Sequence, residues 1–488
     1  MRNNLKKRLI ELLDTVMEMV SEMKKMSSPQ AAANDCVDAL NAILYQLDQD
    51  GDYPKSKEQL EGARDDFIHF TNGDIVIHQS SLSLVYNKVK AAQSVMKHEV
   101  KGKLNVLFLP YKASMWDSLE SIYKAASQDS DCEATVVPIP YYQLTQTEAI
   151  PTYEGHLLPP DVPVTHYSKY DLEYERPDII FVHNIYDQYN TITRVQETYF
   201  SSNLKSFTDM LVYVPYHVSS FILPEDNKGD RSYDLLSIQN VDRVVVMNEA
   251  LKNAAIKFGV PRDKILALGS PKLDAMVNTL KQKNEIPIEW QEKVKDKRVY
   301  LINTECLFFA TETHLRVERL TDFLNIPRID ENSVVIWRPH PLTTSTIMKY
   351  SPSFLPYYLN LVNYIKEGDN PFYKHIIFDD SPDYFPALQL ADVLVTADGS
   401  LLRSYLLTER KVLYWSNTLP KTSLVPENAF YYIFDETTPW FESVRMFAKG
   451  LDPLSENRKG LAEKIYTNAD GTSGEKIYRS VKESLPNK

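Results

Sequence analysis

The first 26 residues carry apolar side chains at alternating intervals of four and three. The repeat consists of Leu5, Leu9, Leu12, Val16, Met19, Met23 and Met26. This spacing predicts one apolar face of an amphipathic helix over about three heptads. Further helical patterns follow at Ala31–Leu47 and, after the turn signal Asn72-Gly73, at Leu82–Lys97. Residues 1–100 are therefore predicted to form a helical region.

The apolar face of the first helix requires a partner, and three partners are compatible with the pattern. The helix can pack on the second helix as an intramolecular hairpin, on another copy as a homo-oligomer, or on a membrane or partner protein. Methionine packs loosely at such positions, so the pattern specifies its partner poorly. Arg2, Lys6, Lys7 and Arg8 are the only sequence support for peripheral membrane contact, at about 1 kcal/mol per basic residue.

From residue 101 onward, short β-branched and aromatic runs alternate with amphipathic stretches. The first series is Asn105–Leu109, Thr135–Ile139, Asp178–Val182, Leu211–Val214, Arg243–Met247 and Lys264–Leu268, and the second is Val299–Ile302, Ser333–Trp337, Lys374–Phe378, Asp392–Val395, Val412–Trp415 and Tyr431–Phe434. Apolar strands separated by helices are typical of parallel sheets covered on both faces. We therefore predict doubly wound α/β domains at 101–285 and 286–488, joined near Lys281–Lys297, with the last helices packing back on the first domain.

Open parallel sheets bind ligands outside the carboxyl ends of their strands. Two such domains in succession place a site in the cleft between them. The predicted fold class is α/β, with two Rossmann-like domains facing across a cleft after a helical N-terminal region. This is the GT-B architecture of many glycosyltransferases and their relatives.

Composition narrows the chemistry of the site and its partners. The chain has 488 residues and a net charge of −12, which argues against a nucleic-acid partner. Its 14 glycines form neither G-x-G nor G-x-x-x-x-G, so the dinucleotide fingerprint and the P-loop are both excluded. The three cysteines lie far apart, which favours a reducing compartment over a disulfide framework. No uncharged run approaches a membrane span, so we expect a cytoplasmic location.

Polar side chains follow two predicted strands of the first domain. His217 comes after Leu211–Val214 and would face the cleft, unless it is a structural histidine held by backbone groups. Gly269-Ser270-Pro271-Lys272 follows Lys264–Leu268 and has the pattern of a helix start. Ser270 and Lys272 could hold an anion at that helix N-terminus, or the segment could be an ordinary helix start.

The second domain offers three strand ends with candidate residues. Pro339 and Pro341 stiffen the turn that presents Arg338 and His340. Thr304 follows the first strand of this domain and supplies a hydroxyl group.

A further candidate turn follows Asp392–Val395. Asp398 or Gly399 can cap the next helix, which leaves Ser400 and the first N–H groups for a diphosphate. Arg403 lies within that helix. An ordinary connection between strand and helix remains the alternative.

The ordered set of these motifs resembles the CDP-glycerol glycerophosphotransferases, the teichoic-acid primases and polymerases of Gram-positive bacteria. The matching segments are His217, Gly269–Asp274, Arg338–Pro341, Ala391–Thr396 and Gly399-Ser400. The resemblance covers roughly residues 104–450. Two motifs differ: Trp-His-Gly-Thr of the family is Tyr216-His217-Val218-Ser219 here, and Thr-Asp-Tyr-Ser-Ser is Thr396-Ala397-Asp398-Gly399-Ser400.

The resemblance implies a GT-B enzyme that moves glycerol phosphate from CDP-glycerol to a hydroxyl on a lipid-linked or polymeric acceptor, releasing CMP. It implies no metal and no other cofactor. His217 matches the general base, His340 with Arg338 matches the group at the transferring phosphate, and Ser400 matches a serine at the donor diphosphate. The acceptor would place the protein at the inner face of the plasma membrane. The rival functions are a GT-B glycosyltransferase or epimerase with a nucleotide-sugar donor, and a non-catalytic scaffold of a polymer-synthesis complex.

Overall fold

The computed structural model describes residues 1–224, 235–282, 285–368, 370–415, 419–434 and 437–485. These residues form two compact units. The first unit comprises Met1–Val106 with the short segments Asp129–Glu133 and Leu172–Asp178. The second unit comprises Leu107–Gln128, Ala134–Asp171 and the described residues from Ile179 onward.

The first unit is built around four helices. These are α1 (Asn3–Glu22), α2 (Pro29–Asp50), α3 (Pro54–Asn72) and α4 (Gln79–Glu99). Each helix packs on the next, and α1 also packs on α4, so that the four close into a bundle. Fully buried side chains such as Leu13, Leu40, Phe67 and Val89 form its core.

The apolar face of α1 is buried inside this bundle, which is the intramolecular arrangement among the three alternatives. The buried face is Leu9, Leu13, Val16, Met17, Val20 and, just after the helix, Met23. This buried face departs from the strict heptad pattern. An α-helix has 3.6 residues per turn, so positions that repeat every 3.5 residues shift gradually around the helix surface. Met26, the last residue of the predicted repeat, is exposed.

The first parallel sheet has the strand order β2-β1-β5-β7-β8-β9, and a separate antiparallel sheet has the order β4-β3-β6. The strands are β1 (Leu104–Leu109), β2 (Cys132–Val136), β3 (Tyr141–Leu144), β4 (Ala149–Thr152), β5 (Ile179–Val182), β6 (Thr193–Val195), β7 (Met210–Tyr213), β8 (Arg243–Val245) and β9 (Ile265–Leu266). The helices of this region are α5 (Glu120–Ser127), α6 (Leu172–Glu175), α7 (Ser201–Leu204), α8 (Glu249–Lys257) and α9 (Pro271–Lys281). Below, residues 107–282 of the second unit are called the first lobe.

The second sheet is parallel throughout and has the order β12-β11-β10-β13-β14-β15. Its strands are β10 (Arg298–Thr304), β11 (Ser333–Pro339), β12 (Ile376–Phe378), β13 (Val393–Thr396), β14 (Lys411–Tyr414) and β15 (Tyr431–Tyr432). Its helices are α10 (Ile288–Val294), α11 (Thr313–Leu324), α12 (Thr343–Tyr350), α13 (Leu355–Glu367), α14 (Phe385–Leu390), α15 (Ser400–Tyr405) and α16 (Trp440–Ala448). The strand order reverses between β10 and β13, which makes their carboxyl ends the expected place for a ligand. Described residues 285–452 are called the second lobe.

Two helices follow the second lobe, α17 (Leu461–Ile465) and α18 (Ser473–Glu483). The last of them packs on α5 and α9 of the first lobe. The buried Asp274 carboxylate accepts hydrogen bonds from the backbone N–H groups of Ser473 at 3.1 Å and Gly474 at 2.7 Å. It thereby satisfies N–H groups that a helix start leaves without intrahelical partners.

The predicted fold class is confirmed, and each predicted run of the two parallel series overlaps a strand. The domain boundaries stay predictions. Within the predicted linker Lys281–Lys297, residues 288–294 form α10, while residues 283–284 lie outside the described residues. Among the helices that the structure describes, none has the length and apolar character to cross a membrane.

Candidate active site

The two lobes enclose a pocket of about 520 Å³ at the carboxyl ends of β10 and β13. Of the candidates from sequence, the pocket is lined by His217, Lys272, Arg338, His340, Asp398, Gly399, Ser400 and Arg403. Other lining residues include Ser114, Tyr186, Tyr216, Asn303, Glu305, Cys306 and Tyr384. The structure thus brings together side chains that are up to 289 positions apart in the chain, from Ser114 to Arg403.

His340 lies in the rigid turn after β11 and is held on one side by backbone. The backbone N–H of His340 donates to the Thr304 carbonyl at 2.9 Å. The Nδ1 atom of its ring accepts from the backbone N–H of Leu342 at 3.1 Å. Burial, together with the nearby cations Lys112, Lys272 and Arg338, lowers the pKa of His340 to about 4. At neutral pH the ring is therefore uncharged, with its proton on Nε2, and it can donate one hydrogen bond.

His217 lies in the turn after β7 and is half-buried. Its ring packs edge-to-face on Tyr216, with centroids 5.3 Å apart. The neighbouring Val218 carbonyl accepts a hydrogen bond from Nη1 of Arg403. Because Arg403 belongs to α15, this bond links the turn that carries His217 to the second lobe.

Arg338 lines the pocket, but its guanidinium group is already bound. Nη1 donates to Asp379 Oδ2 at 2.5 Å, and Nη2 donates to the Ser381 carbonyl at 2.7 Å. The Asp379 carboxylate compensates its charge. These bonds hold the loop that follows β12, and the expected role of Arg338 at the transferring phosphate stays a prediction.

Lys272 is paired in a similar way. Its Nζ donates to Asp117 Oδ2 at 2.6 Å, and the same oxygen accepts from the Tyr384 hydroxyl at 2.6 Å. Nζ also lies 4.6 Å from the centre of the Tyr384 ring. Because Asp117 and Lys272 belong to the first lobe and Tyr384 to the second, this cluster joins the lobes beside the pocket.

The start of α15 combines backbone donors with a cation. Gly399 precedes the helix, Ser400 is its first residue, and Asp398 Oδ1 accepts from Nη2 of Arg403 at 2.9 Å. The Nε atom of Arg403 is buried and has no hydrogen-bond partner among the described residues. Arg403 therefore keeps an unused donor next to the first turn of the helix.

Two candidates from sequence do not line this pocket. Ser270 precedes α9 without a side-chain capping bond and lines a separate cavity of about 10 Å³, which has room for one water at most. Thr304 is 1% exposed, and its hydroxyl accepts from the Trp337 indole at 3.4 Å. Since side chains alternate along a strand, Asn303 reaches the pocket and Thr304 does not. Substrate contact stays a prediction for both residues, and the pocket geometry does not support it.

Glu305 and Cys306 were not among the candidates, yet both line the pocket directly after β10. Burial raises the pKa of the Glu305 carboxyl, and the nearby Asp398 adds to the rise, while Arg316 opposes it. Burial raises the pKa of the Cys306 thiol to about 12. The signal available in the sequence was their position at the end of the strand beside the reversal of strand order.

His183, at the end of β5, is enclosed completely. Nε2 accepts from the Tyr111 N–H at 3.1 Å, and Nδ1 lies 3.0 Å from the Ser118 hydroxyl and 3.3 Å from the Met115 carbonyl. Burial lowers the pKa of His183 to about 3. This histidine is a neutral group that holds the loop after β1.

No group of three or more His, Cys, Asp and Glu side chains in the described part of the chain has the arrangement of a metal site. No family model matches the chain. No curated protein matches it significantly.

Solved structures resemble this one over most of its length. The UDP-GlcNAc 2-epimerase of Methanocaldococcus jannaschii, in complex with UDP-GlcNAc and UDP, is 15% identical, and the match covers 78% of this chain and 100% of that one with a TM-score of 0.52. A protein assigned as a UDP-N-acetylglucosamine 2-epimerase from Listeria monocytogenes is 14% identical, with 78% and 96% covered and a TM-score of 0.50.

The wall teichoic acid polymerase TagF is 13% identical, with 78% of this chain and 89% of that chain covered. Its TM-score of 0.48 is too low to support a conclusion about the fold. The two epimerase structures, at their low identities, establish the fold alone: the chain has a GT-B-like fold.

Proposed function

We propose that this chain transfers glycerol phosphate from CDP-glycerol to a hydroxyl acceptor and releases CMP. The observation that carries the proposal is the meeting of His217, His340 and the start of α15 in one pocket of about 520 Å³, a volume typical of small-molecule sites. The choice of CDP-glycerol rests on the motif resemblance. The same resemblance suggests a teichoic acid or a related polymer as acceptor.

The reaction needs positioning and charge stabilisation rather than a cofactor. His217 accepts the proton of the acceptor hydroxyl, and the acceptor oxygen bonds to the phosphorus that carries glycerol. The bond from that phosphorus to the bridging oxygen breaks, and CMP leaves with the electron pair. The Nε2–H of the neutral His340 donates to an oxygen of the phosphate under attack.

The diphosphate would be held mainly by the second lobe. Arg403 has an unused Nε donor, and Gly399 and Ser400 offer the backbone N–H groups of the first turn of α15. Arg338 and Lys272 hold the surrounding loops, because Asp379 and Asp117 already compensate their charges.

The test is alanine substitution of each pocket histidine. His217→Ala and His340→Ala should each lower CMP release from CDP-glycerol by about 100-fold or more. His314→Ala, on the exposed surface of α11, is the matched control and should leave the rate unchanged. Near-wild-type CMP release by both pocket variants would contradict the proposal.

The second candidate is a GT-B glycosyltransferase or epimerase with a nucleotide-sugar donor. Glu305 favours it, because a carboxyl with a raised pKa in a pocket is suited to acid-base chemistry on a sugar. Incubation with CDP-glycerol and with a panel of UDP-sugars, followed by measurement of released nucleotide and of sugar configuration, separates the two candidates. A purely structural scaffold predicts no thermal shift with any nucleotide, whereas a ligand at about 100 times its Kd adds about 2.7 kcal/mol.

A lipid-linked acceptor would require access to the membrane surface. We therefore place the proposed activity on the cytoplasmic side, at the inner face of the plasma membrane. Separation of cell extract into cytosol and membranes, before and after a salt wash, tests this location.

A further inference from the structure

A second chamber, of about 400 Å³, adjoins the pocket on the turn that carries His340. The two cavities share Ser114, Arg338, Pro339, His340 and Pro341 as lining residues. The turn from 338 to 341 is thus a wall between them. A ligand in either cavity can therefore reach the same histidine.

The charged side chains of the second chamber are paired with each other. Lys112 Nζ lies 3.3 Å from Glu154 Oε1, and Lys366 Nζ lies 2.8 Å from Asp380 Oδ2. Arg338 is bound to Asp379, as described above. With its cations compensated, the chamber lacks the excess positive charge that would favour a phosphate group.

The chamber also contains hydroxyl groups that make no hydrogen bond to any described residue. Thr343 is 2% exposed, and its Oγ1 makes no hydrogen bond to the described residues. Ser114 Oγ is also buried and makes none within the same part of the chain. Buried hydroxyls are usually satisfied, so such groups in a cavity wall indicate a hydrogen-bonding ligand.

We infer that the second chamber binds the neutral, hydroxyl-rich end of the acceptor, a polyol or a sugar. This inference rests on the proposed function and specifies its second substrate. The acceptor enters from one side of the 338–341 turn, and the donor lies on the other side. The reacting hydroxyl extends past this turn into the first pocket, where His217 takes its proton. The acceptor O–P bond forms, the phosphorus bond to the bridging oxygen breaks, and CMP leaves with the electron pair.

The first experiment measures acceptor kinetics with glycerol and sorbitol as probes. Thr343→Val removes the unpartnered hydroxyl, and Asn363→Trp fills the chamber from α13 without touching the first pocket. Both variants should raise the acceptor KM about tenfold and leave the KM for CDP-glycerol within about twofold. Glycerol 3-phosphate should be a poorer acceptor than glycerol, because Lys112, Arg338 and Lys366 in the chamber wall are each paired with a carboxylate.

The controls are Thr321→Val on the exposed surface of α11 and Tyr364→Trp at the exposed neighbouring position of α13. Neither residue lines the chamber, so neither substitution should change the acceptor KM. An unchanged acceptor KM in both chamber variants, with an active wild type, would overturn the inference and leave the proposed function standing.

The second experiment detects sorbitol directly by saturation-transfer NMR, without any donor. We expect a signal with the wild type that Asn363→Trp abolishes. If the wild type neither binds nor cleaves CDP-glycerol but shows this pattern, the proposed function fails while the chamber is supported as a polyol site. If no signal is seen with sorbitol or glycerol, the chamber is not a polyol site.

Discussion

His183 and His340 both stand directly after a strand of a parallel sheet, yet their surroundings differ. Each follows a buried parallel strand, and burial keeps each ring neutral, with a pKa of about 3 for His183 and about 4 for His340. His183 has protein partners at both ring nitrogens. His340 has a backbone donor at Nδ1 and lines two cavities.

The difference teaches that a histidine at a strand end is not by itself a catalytic signal. What separates the two is whether the second ring nitrogen faces protein or cavity. In the second lobe, Pro339 and Pro341 stiffen the backbone around His340, and its ring lines both cavities. In the first lobe, the loop after β1 closes over His183 through Tyr111, Met115 and Ser118.

The largest effect, on turnover, should come from replacing each of the two histidines separately by alanine. His340→Ala should lower turnover by about 100-fold or more with little loss of stability. His183→Ala should lower stability and leave the rate per folded molecule near that of the wild type. The rate of CMP release per folded molecule is measured for both variants. Equal losses of this rate would contradict the predicted difference between the two histidines.

A smaller effect is expected on stability when His183 becomes an apolar ring. His183→Phe leaves the buried Tyr111 N–H without an acceptor, which should lower the free energy of unfolding by about 1–3 kcal/mol. Chemical denaturation followed by tryptophan fluorescence measures this. A variant as stable as the wild type would show that the His183 bonds are not what holds the loop.

The acid dependence of stability should distinguish His183→Phe from the wild type. An unfolded histidine has a pKa of about 6.5, whereas folded His183 has a pKa of about 3. Its contribution to stability is therefore complete above about pH 6.5 and declines as the pH falls toward 3, by about 1.4 kcal/mol per pH unit. The wild type should lose more stability than His183→Phe between about pH 7 and pH 5, and parallel curves would contradict the prediction.

The smallest effect is expected at Ser118. Its hydroxyl donates to the Met115 carbonyl at 2.7 Å and lies 3.0 Å from Nδ1 of His183. Ser118→Ala should lower the free energy of unfolding by about 0.5–1.5 kcal/mol and leave CMP release unchanged. A loss of rate per folded molecule would extend the active site to the His183 cluster.

The strands of both parallel sheets were predictable because each is a short, buried, apolar run. The antiparallel strands β3, β4 and β6 were missed, since β3 and β4 are partly exposed and β4 contains Pro151. Helix α3 was missed for a similar reason, because only three of its 19 residues, Leu60, Phe67 and Phe70, are large, apolar and buried. Patterns of burial reveal elements only where burial is extensive.

The ends of the predicted strands indicated which residues line the pocket, but not which of their charges are compensated by other side chains. The sequence placed His340 and Ser400 near a ligand site, but it could not reveal that Asp379 and Asp117 compensate Arg338 and Lys272. Those partners are distant in the chain and arrive only through tertiary packing. The sequence also could not show that Asn303, and not Thr304, faces the pocket. The direction of each side chain depends on the register of the strand.

The hydrogen bonds from Ser473 and Gly474 to Asp274 determine when the first lobe can finish folding during synthesis. The Asp274 carboxylate is fully buried, and the amide donors that compensate it are translated about 200 residues later. The lobe containing Asp274 thus cannot reach its final packing until Ser473 and Gly474 have been synthesised and have left the ribosome. We expect a truncated product ending near residue 285 to leave that side chain hydrated and α5 and α9 without their cover, and to be cleared by cellular proteases.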